Sequence, residues 1–359
     1  MTGRIRITAL VVGFALPAAI STARADYLNP LLFPSIGTLN LAPGNYTIET
    51  NGVPVFRDAA NNVLFTGTTF FQGGSFGDTI SVLCFSSVNI PAGVNIRASG
   101  DNPLAILSHS TILLSGVIDA GGFNGSNSSG QGGTGAGGLG GPGAGRGGNA
   151  NGGAGFGPGG GPGGFDGIGS VNAGGGAFGG RGGQNAAGAF ASPYGNLRNF
   201  LQGGSGGGAV GSSIFHAIGS GGGGGGGAVE LGAVDAISFV AGQLLSIGGQ
   251  PGAAIAANSG GGSGGGLLIH APIINYGINS VMRADGALFG GGGRILFLTG
   301  DGTINQTGGT ITAAAGGGAN NQEPGVIEFA VIPEPSSLAL VALGGFGAAM
   351  LKRWRAGRR

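Results

Sequence analysis

Five acidic residues beside turns, Asp119, Glu230, Asp235, Asp285 and Asp301, together with Arg97, Arg283 and Arg294, are the groups whose types suit chemistry on a sugar chain. Glycoside cleavage needs two carboxyls about 5–9.5 Å apart. Strands stacked about 4.8 Å apart bring side chains of successive repeats to that spacing. Elimination needs a basic side chain, and here that means Arg, because the single lysine is Lys352. Yet Asp119 precedes Ala120, Asp285 precedes Gly286 and Asp301 precedes Gly302. A short acceptor at such a turn ordinarily bonds local backbone. No catalytic residue is therefore assigned, and the chain is read as a non-enzyme, with a polysaccharide lyase or hydrolase as the alternative.

The other chemistry-bearing types are equally isolated. A phosphate-cradling loop needs Gly-Lys-Ser/Thr after its glycines, and Lys352 lies far from any such run. A Gly-rich calcium repeat needs an acid in each unit to supply 6–8 oxygens, but only Asp166 lies between Asp119 and Glu230. His109, His216 and His270 lack the spacing of a zinc site. Cys84 stands alone, so an intrachain disulfide is excluded, and the bland role of a small buried hydrophobe fits it. Thr66, Thr68 and Thr69 cluster once and Thr307, Thr310 and Thr312 again, without the rank of threonines that an ice-binding face would need. The only Trp is Trp354, which weakens a glycan platform. No cofactor or metal is expected.

The elements that would position these residues are unusual. Of 359 residues 90 are Gly, 16 Pro and 1 Cys, and 8% are charged, against roughly 7% Gly and 25% charged in ordinary proteins. Gly lacks the strict third-place period of collagen. Residues 26–332 carry seven arginines, no lysine and 13 acids, a net −6 hidden by the formal +1 of the whole chain. That body has no basic stripe, so nucleic acid is not an expected partner.

The two ends read as addresses. Residues 1–25 have a basic start at Arg4 and Arg6, an apolar stretch from Ile7 to Leu16, and Ala23-Arg24-Ala25 as a small-x-small site. This is the order of a secretory signal peptide, with signal peptidase cutting between Ala25 and Asp26. At the other end Pro333-Glu334-Pro335 is followed by an apolar run from Leu338 to Leu351 and a basic tail, Lys352, Arg353, Arg355, Arg358 and Arg359. As a helix, 14 residues span about 21 Å, short of the roughly 30 Å hydrocarbon core, and the basic tail places the C-terminus on the cytoplasmic side.

Triplet, short apolar helix and arginine cluster, in that order, resemble the PEP-CTERM sorting signal of Gram-negative bacteria. The resemblance implies an exosortase that recognises the tail at Pro333, Glu334 and Pro335 and passes the protein to the cell surface or an exopolysaccharide matrix. It implies an inner-membrane intermediate held by a C-terminal transmembrane helix, and it implies nothing about the body.

In the body, Val82-Leu83-Cys84-Phe85-Ser86 aligns with Leu104-Ala105-Ile106-Leu107-Ser108 at an offset of 22, Ile90 with Ile112, and Ile96 with Ile118. Cys84 then shares a column with Ile106, and His109 with Ser87. Units recur from Ala228 to Gly249, Leu267 to Gly286 and Arg294 to Gly316, and Val326 to Val331 reads as a last strand. Repeats of 20–30 residues made of short β-branched strands predict an all-β parallel β-solenoid, similar to Gly-rich parallel β-helix surface proteins; a β-sandwich is the alternative. The predicted units are 26–120 and 228–332 as solenoid, 121–227 as a Gly-rich insertion, and 333–359 as the sorting segment. Ordering Gly costs more backbone entropy than ordering any other residue, so the insertion is expected to be flexible and loosely packed. Its seven Phe (123, 156, 165, 178, 190, 200 and 215) are expected either to act as adhesive points or to dock on the solenoid flank. The functional expectation is an exported structural or adhesive protein, with exopolysaccharide or a second copy as partner; ice or glycan binding is the further alternative.

Overall fold

The structure is a computed structural model that describes residues 27–73, 79–127, 135–164, 172–211, 219–253, 258–318 and 320–332. Among them the chain is all-β, with one short 3-10 turn at Pro30–Leu32. Three sheets are built largely of parallel strands. The first runs Thr38–Asn40, Ser87–Ile90, Thr111–Leu114, Ala236–Phe239, Ile273–Tyr276 and Asn305–Gln306. The second begins at Thr310–Thr312 and continues through Val281–Arg283, Gln243–Leu245, Val117–Asp119, Val94–Ser99 and Gly44–Glu49 to the antiparallel pair Val55–Asp58 and Val63–Thr66. The third comprises Val326–Val331, Arg294–Thr299, Gly266–His270, Ala228–Ala233, Leu104–Ser108 and Thr79–Phe85, closed by Thr68–Phe71 running antiparallel. From Thr79 onward the chain visits the third, first and second sheets in that order and then repeats.

Burial explains the composition of each sheet. Strands of the first and second sheets alternate, as in Val94–Ser99 and Ala236–Phe239, the pattern of a sheet with one wet face. Strands of the third sheet, such as Leu104–Ser108, Ala228–Ala233 and Gly266–His270, are buried throughout. Their near-continuous apolar runs suit a sheet covered on both faces. The inner face contributes the ladder Leu83, Ile106, Leu231, Ile269 and Phe297 to the core between the three sheets. The outer face carries Val82, Cys84, Leu107, Leu268 and Leu298 beneath Leu28, Phe178, Leu197 and Leu201.

The uniform offset of 22 is corrected by the register. Leu83 pairs with Ile106, Val88 with Ile112 and Ile96 with Ile118, steps of 23, 24 and 22 residues. One turn is a residue longer in the second pass and the next is two shorter, so only the second sheet keeps the expected columns. Cys84 lies beside Leu107, and Ile90 beside Leu114. A one-residue slip moves a side chain to the opposite face, so Cys84 is buried under the outer layer and not in the central core.

The expectation of a loosely packed Gly-rich insertion is also corrected. Residues 219–227 are all buried. From Gly221 to Gly227 the N–H groups donate in turn to the carbonyls of Ser126, Gly148 and Gly260, then Phe123, Gly145 and Ser263, then Ala120. Three neighbours are served in rotation, with a period of three. Residues 260–265 repeat the scheme, donating to Gly208, Leu288, Gly249, Ser205, Gly291 and Ser246. Polyproline II has three residues per turn and no internal hydrogen bonds, so such segments pair laterally on every side. At Gly224 an added Cβ would overlap the backbone of Leu139 and Gly138; only Gly permits this approach. These segments leave the second sheet and re-enter the third, and residues 246–252, 258–265 and 284–293 belong to the same layer. The entropy lost by the glycines is offset by bonds to almost every buried backbone group.

Candidate functional site

The positions singled out at the chain ends, Ala25, Asp26, Pro333, Glu334, Pro335, Leu338, Leu351, Lys352, Arg353, Arg355, Arg358 and Arg359, lie outside the described residues, as do Asp166, Phe165, Phe215 and His216. Among the described residues no helix is long and apolar enough to cross a membrane. The last described strand, Val326–Val331, pairs with Arg294–Thr299 and hands the chain to the sorting segment through Ile332.

The acidic candidates are distributed over the fold, each with its own partners. Asp119 projects from the second sheet to Arg97, Nη1 to Oδ2 at 2.6 Å. The same guanidinium donates to the Gly121 carbonyl and covers the Phe123 ring at 4.2 Å. Asp285 accepts from Arg283 Nε at 2.6 Å, from the Thr312 hydroxyl and from the Ala314 N–H. Asp301 caps its own turn by accepting from the N–H and hydroxyl of Thr303, bonds that hold its carboxyl below the usual range. Asp235 occupies the turn between Ala228–Ala233 and Ala236–Phe239. Arg294 donates from Nε to the Tyr194 carbonyl.

Glu230 differs, because it and His270 are both buried. The two project from adjacent strands on the outer face of the third sheet, His270 Nε2 lying 2.9 Å from Glu230 Oε1. The same oxygen accepts the Leu28 N–H at 2.7 Å, and the Tyr27 ring lies 4.4 Å from the His270 ring. The pair therefore clamps the start of the described chain to the sheet. His270 looks isolated in the sequence; its signal is Gly232, directly beside His270 in the register, where a Cβ would collide with the imidazole.

Cys84 donates weakly from Sγ to the Pro30 and Phe33 carbonyls, and desolvation raises its thiol to about 11. A nucleophilic cysteine needs the opposite shift. His109 sits one place from its expected column and contacts the Phe33 carbonyl at 2.9 Å through Nε2. No group of three His, Cys, Asp or Glu is placed to hold a metal ion among the described residues.

Two hollows remain. One, of about 600 Å³, opens on the second sheet and is lined by Asn45, Thr47, Asp58, Asn95, Arg97 and Asp119 among others. The other, of about 590 Å³, lies over the third sheet between Leu32, Phe33, Phe70, Phe71, Phe200 and Glu230.

Comparison with known proteins locates one recognised element: the PEP-CTERM protein-sorting motif matches residues 331–355. The chain carries a PEP-CTERM sorting motif. The motif marks an exported protein that an exosortase processes and sorts by way of the membrane to the cell surface. Nothing matches among curated proteins or solved structures.

Proposed function

We propose that this PEP-CTERM protein is a structural component of the cell surface or exopolysaccharide matrix, without catalytic activity. In this reading the three sheets form a parallel β-solenoid, stiffened along one corner by the glycine layer. Leu338–Leu351 is its transient membrane helix and Ala25–Asp26 the signal-peptidase site. The observation that carries the proposal is the sorting motif at 331–355, which begins at the last residue of the final strand, Val326–Val331. The distribution of the carboxylates adds support: Asp119, Asp285 and Asp301 each bond to structural partners, and Glu230 is spent on holding Leu28.

A second reading, glycan binding, draws on the hollow of the second sheet, where Asn95 Nδ2 and Asn45 Oδ1 lie 3.3 Å apart beside the Arg97–Asp119 pair. The first reading is tested by locating tagged protein in its own host, with Pro333, Glu334 and Pro335 intact or changed to Ala. Wild type at the surface and the variant retained in the inner membrane is the expected result. Identical placement of the two would sink exosortase sorting. Turnover of an exopolysaccharide by the purified protein would sink the structural assignment.

A further inference from the structure

The two ends of the strand stack are built differently. Among the described residues each sheet ends, on either side, in a strand paired on one side only. These strands are Thr38–Asn40 and Asn305–Gln306 in the first, Val63–Thr66 and Thr310–Thr312 in the second, and Thr68–Phe71 and Val326–Val331 in the third. A free edge presents unpaired N–H and C=O groups and ordinarily is blunted by charge, proline or a cover. Repeat arrays likewise end in units with a polar outer face.

Three of these edges, Val63–Thr66, Thr68–Phe71 and Val326–Val331, are largely apolar. At the C-terminal end Ile327, Phe329 and Val331 continue the columns of Ile295, Phe297 and Thr299. Phe329 stacks on Phe297 at 5.0 Å, nearly parallel, but is 47% exposed, and Val331 is 54% exposed. No described strand covers this row. At the opposite end the core is plugged by Phe56 and Phe65, the latter against Phe85 at 5.1 Å. Beyond that plug Val63 is 53% and Phe71 71% exposed. An apolar strand edge therefore terminates the second and third sheets at the N-terminal end, and another terminates the third sheet at the C-terminal end.

We propose that copies of this chain assemble head to tail, with Val326–Val331 of one copy pairing with Thr68–Phe71 of the next. The occupant of each end is thus a second copy. Matching edges of the same three sheets meet in this arrangement, and Ile327, Phe329 and Val331 lose their contact with water. Thr68–Phe71 runs antiparallel to its own sheet, so the junction is an antiparallel pair in an otherwise parallel sheet. A contact between two different surfaces gives a ring if its rotation closes and an open filament if it does not; edges at opposite ends of one stack favour the filament, the geometry a matrix component needs. The proposal deepens the structural reading and rests on it. It is tested on purified protein, so its failure is distinct from a failure of sorting.

The full chain is held in a nonionic detergent that shields residues 338–351 and is sized by sedimentation velocity, and four variants are compared with wild type. Phe329→Glu or Val331→Lys alters one end, and Phe71→Glu or Val63→Lys the other. The second variant of each pair guards against a folding defect, which matching circular dichroism and melting exclude. Wild type is expected to form a ladder of multiples at about 100 µM, within the range where exposed edges associate. Each variant should need at least tenfold more protein to assemble. A mixture of Phe329→Glu with Phe71→Glu should form dimers and nothing longer, since one intact junction remains. A monomeric wild type overturns the proposal. So does normal assembly of the Phe71→Glu and Val63→Lys variants when the C-terminal variants fail, because that pattern belongs to a symmetric contact of C-terminal edges.

Discussion

Substitution of Gly224 by Ala separates a packed glycine layer from a loose one by the sign of its effect. In a flexible segment Gly→Ala restricts the unfolded chain and stabilises by about 0.4–1 kcal/mol. In this structure the new methyl overlaps the carbonyl oxygens of Leu139 and Gly138. Both are backbone atoms, so no side-chain rotation relieves the clash. The Gly224 N–H also donates to the Phe123 carbonyl at 3.0 Å, which ties any shift of residue 224 to a third segment. Overpacking of a close-fitting interior costs about 1–3 kcal/mol, and the rigid obstacle places this site toward the upper part. Setting that against the unfolded-state gain leaves a net loss of about 1–2 kcal/mol.

Equilibrium urea unfolding measures the difference, with a two-state fit checked by two probes. Gly317 is the control, because it is exposed and a methyl group added there would meet nothing within 4 Å. Gly317→Ala should be neutral or slightly stabilising. A Gly224→Ala protein as stable as wild type, or more stable, would refute the three-neighbour packing of residues 221–227.

Two further outcomes follow from the buried polar groups. Glu230→Ala leaves the Leu28 N–H and the His270 ring without their shared acceptor, a loss of about 1–3 kcal/mol; limited proteolysis should then cut near Tyr27–Phe33, whereas Glu230→Gln, which keeps an acceptor oxygen, should resist. Cys84 has its thiol raised from 9.0 to about 11 by desolvation, so the folded state holds its proton where the unfolded state ionises. Its contribution is fully present below pH 9.0 and is lost between pH 9.0 and about 11. Wild type should lose stability over that window relative to Cys84→Ala, and maleimide labelling at pH 8 should occur only on unfolding.

The strands are legible in the sequence because β-branched runs between turns have one physical use. Leu267-Leu268-Ile269 and Ile295-Leu296-Phe297 lie in strands of the third sheet, and Val326–Val331 is the last strand. Columns are legible only where turn lengths stay constant. Ser86 alone joins two strands in one pass, whereas His109 and Ser110 do so in the next. That extra residue raises the step from 23 in the third sheet to 24 in the first, and a shorter turn lowers it to 22 in the second, so no constant offset fits all three sheets and an offset of 22 puts Cys84 on the wrong face. The Glu230–His270 contact joins residues 40 apart and is invisible until the register sets Gly232 beside His270.

The glycine layer hides for a different reason. A three-residue helix with neighbours on every side needs Gly at every position, so the run 221–227 shows no period. Where one edge faces solvent, a side chain returns, and these side chains are paired with one another. Arg146 covers Phe156 at 4.5 Å, Arg181 covers Phe190 at 4.8 Å, and Arg97 covers Phe123 at 4.2 Å. Phe178 is instead fully buried on the outer face of the third sheet. Four of the seven rings expected as adhesive points on a flexible strand, Phe123, Phe156, Phe178 and Phe190, thus have one face occupied by a guanidinium or are buried. A layer with so little side chain accommodates few charges, which accounts for the dilute charge of the chain. In the proposed assembly, attraction between copies then falls to the strand edges at the ends of the stack, where no described strand covers the apolar side chains.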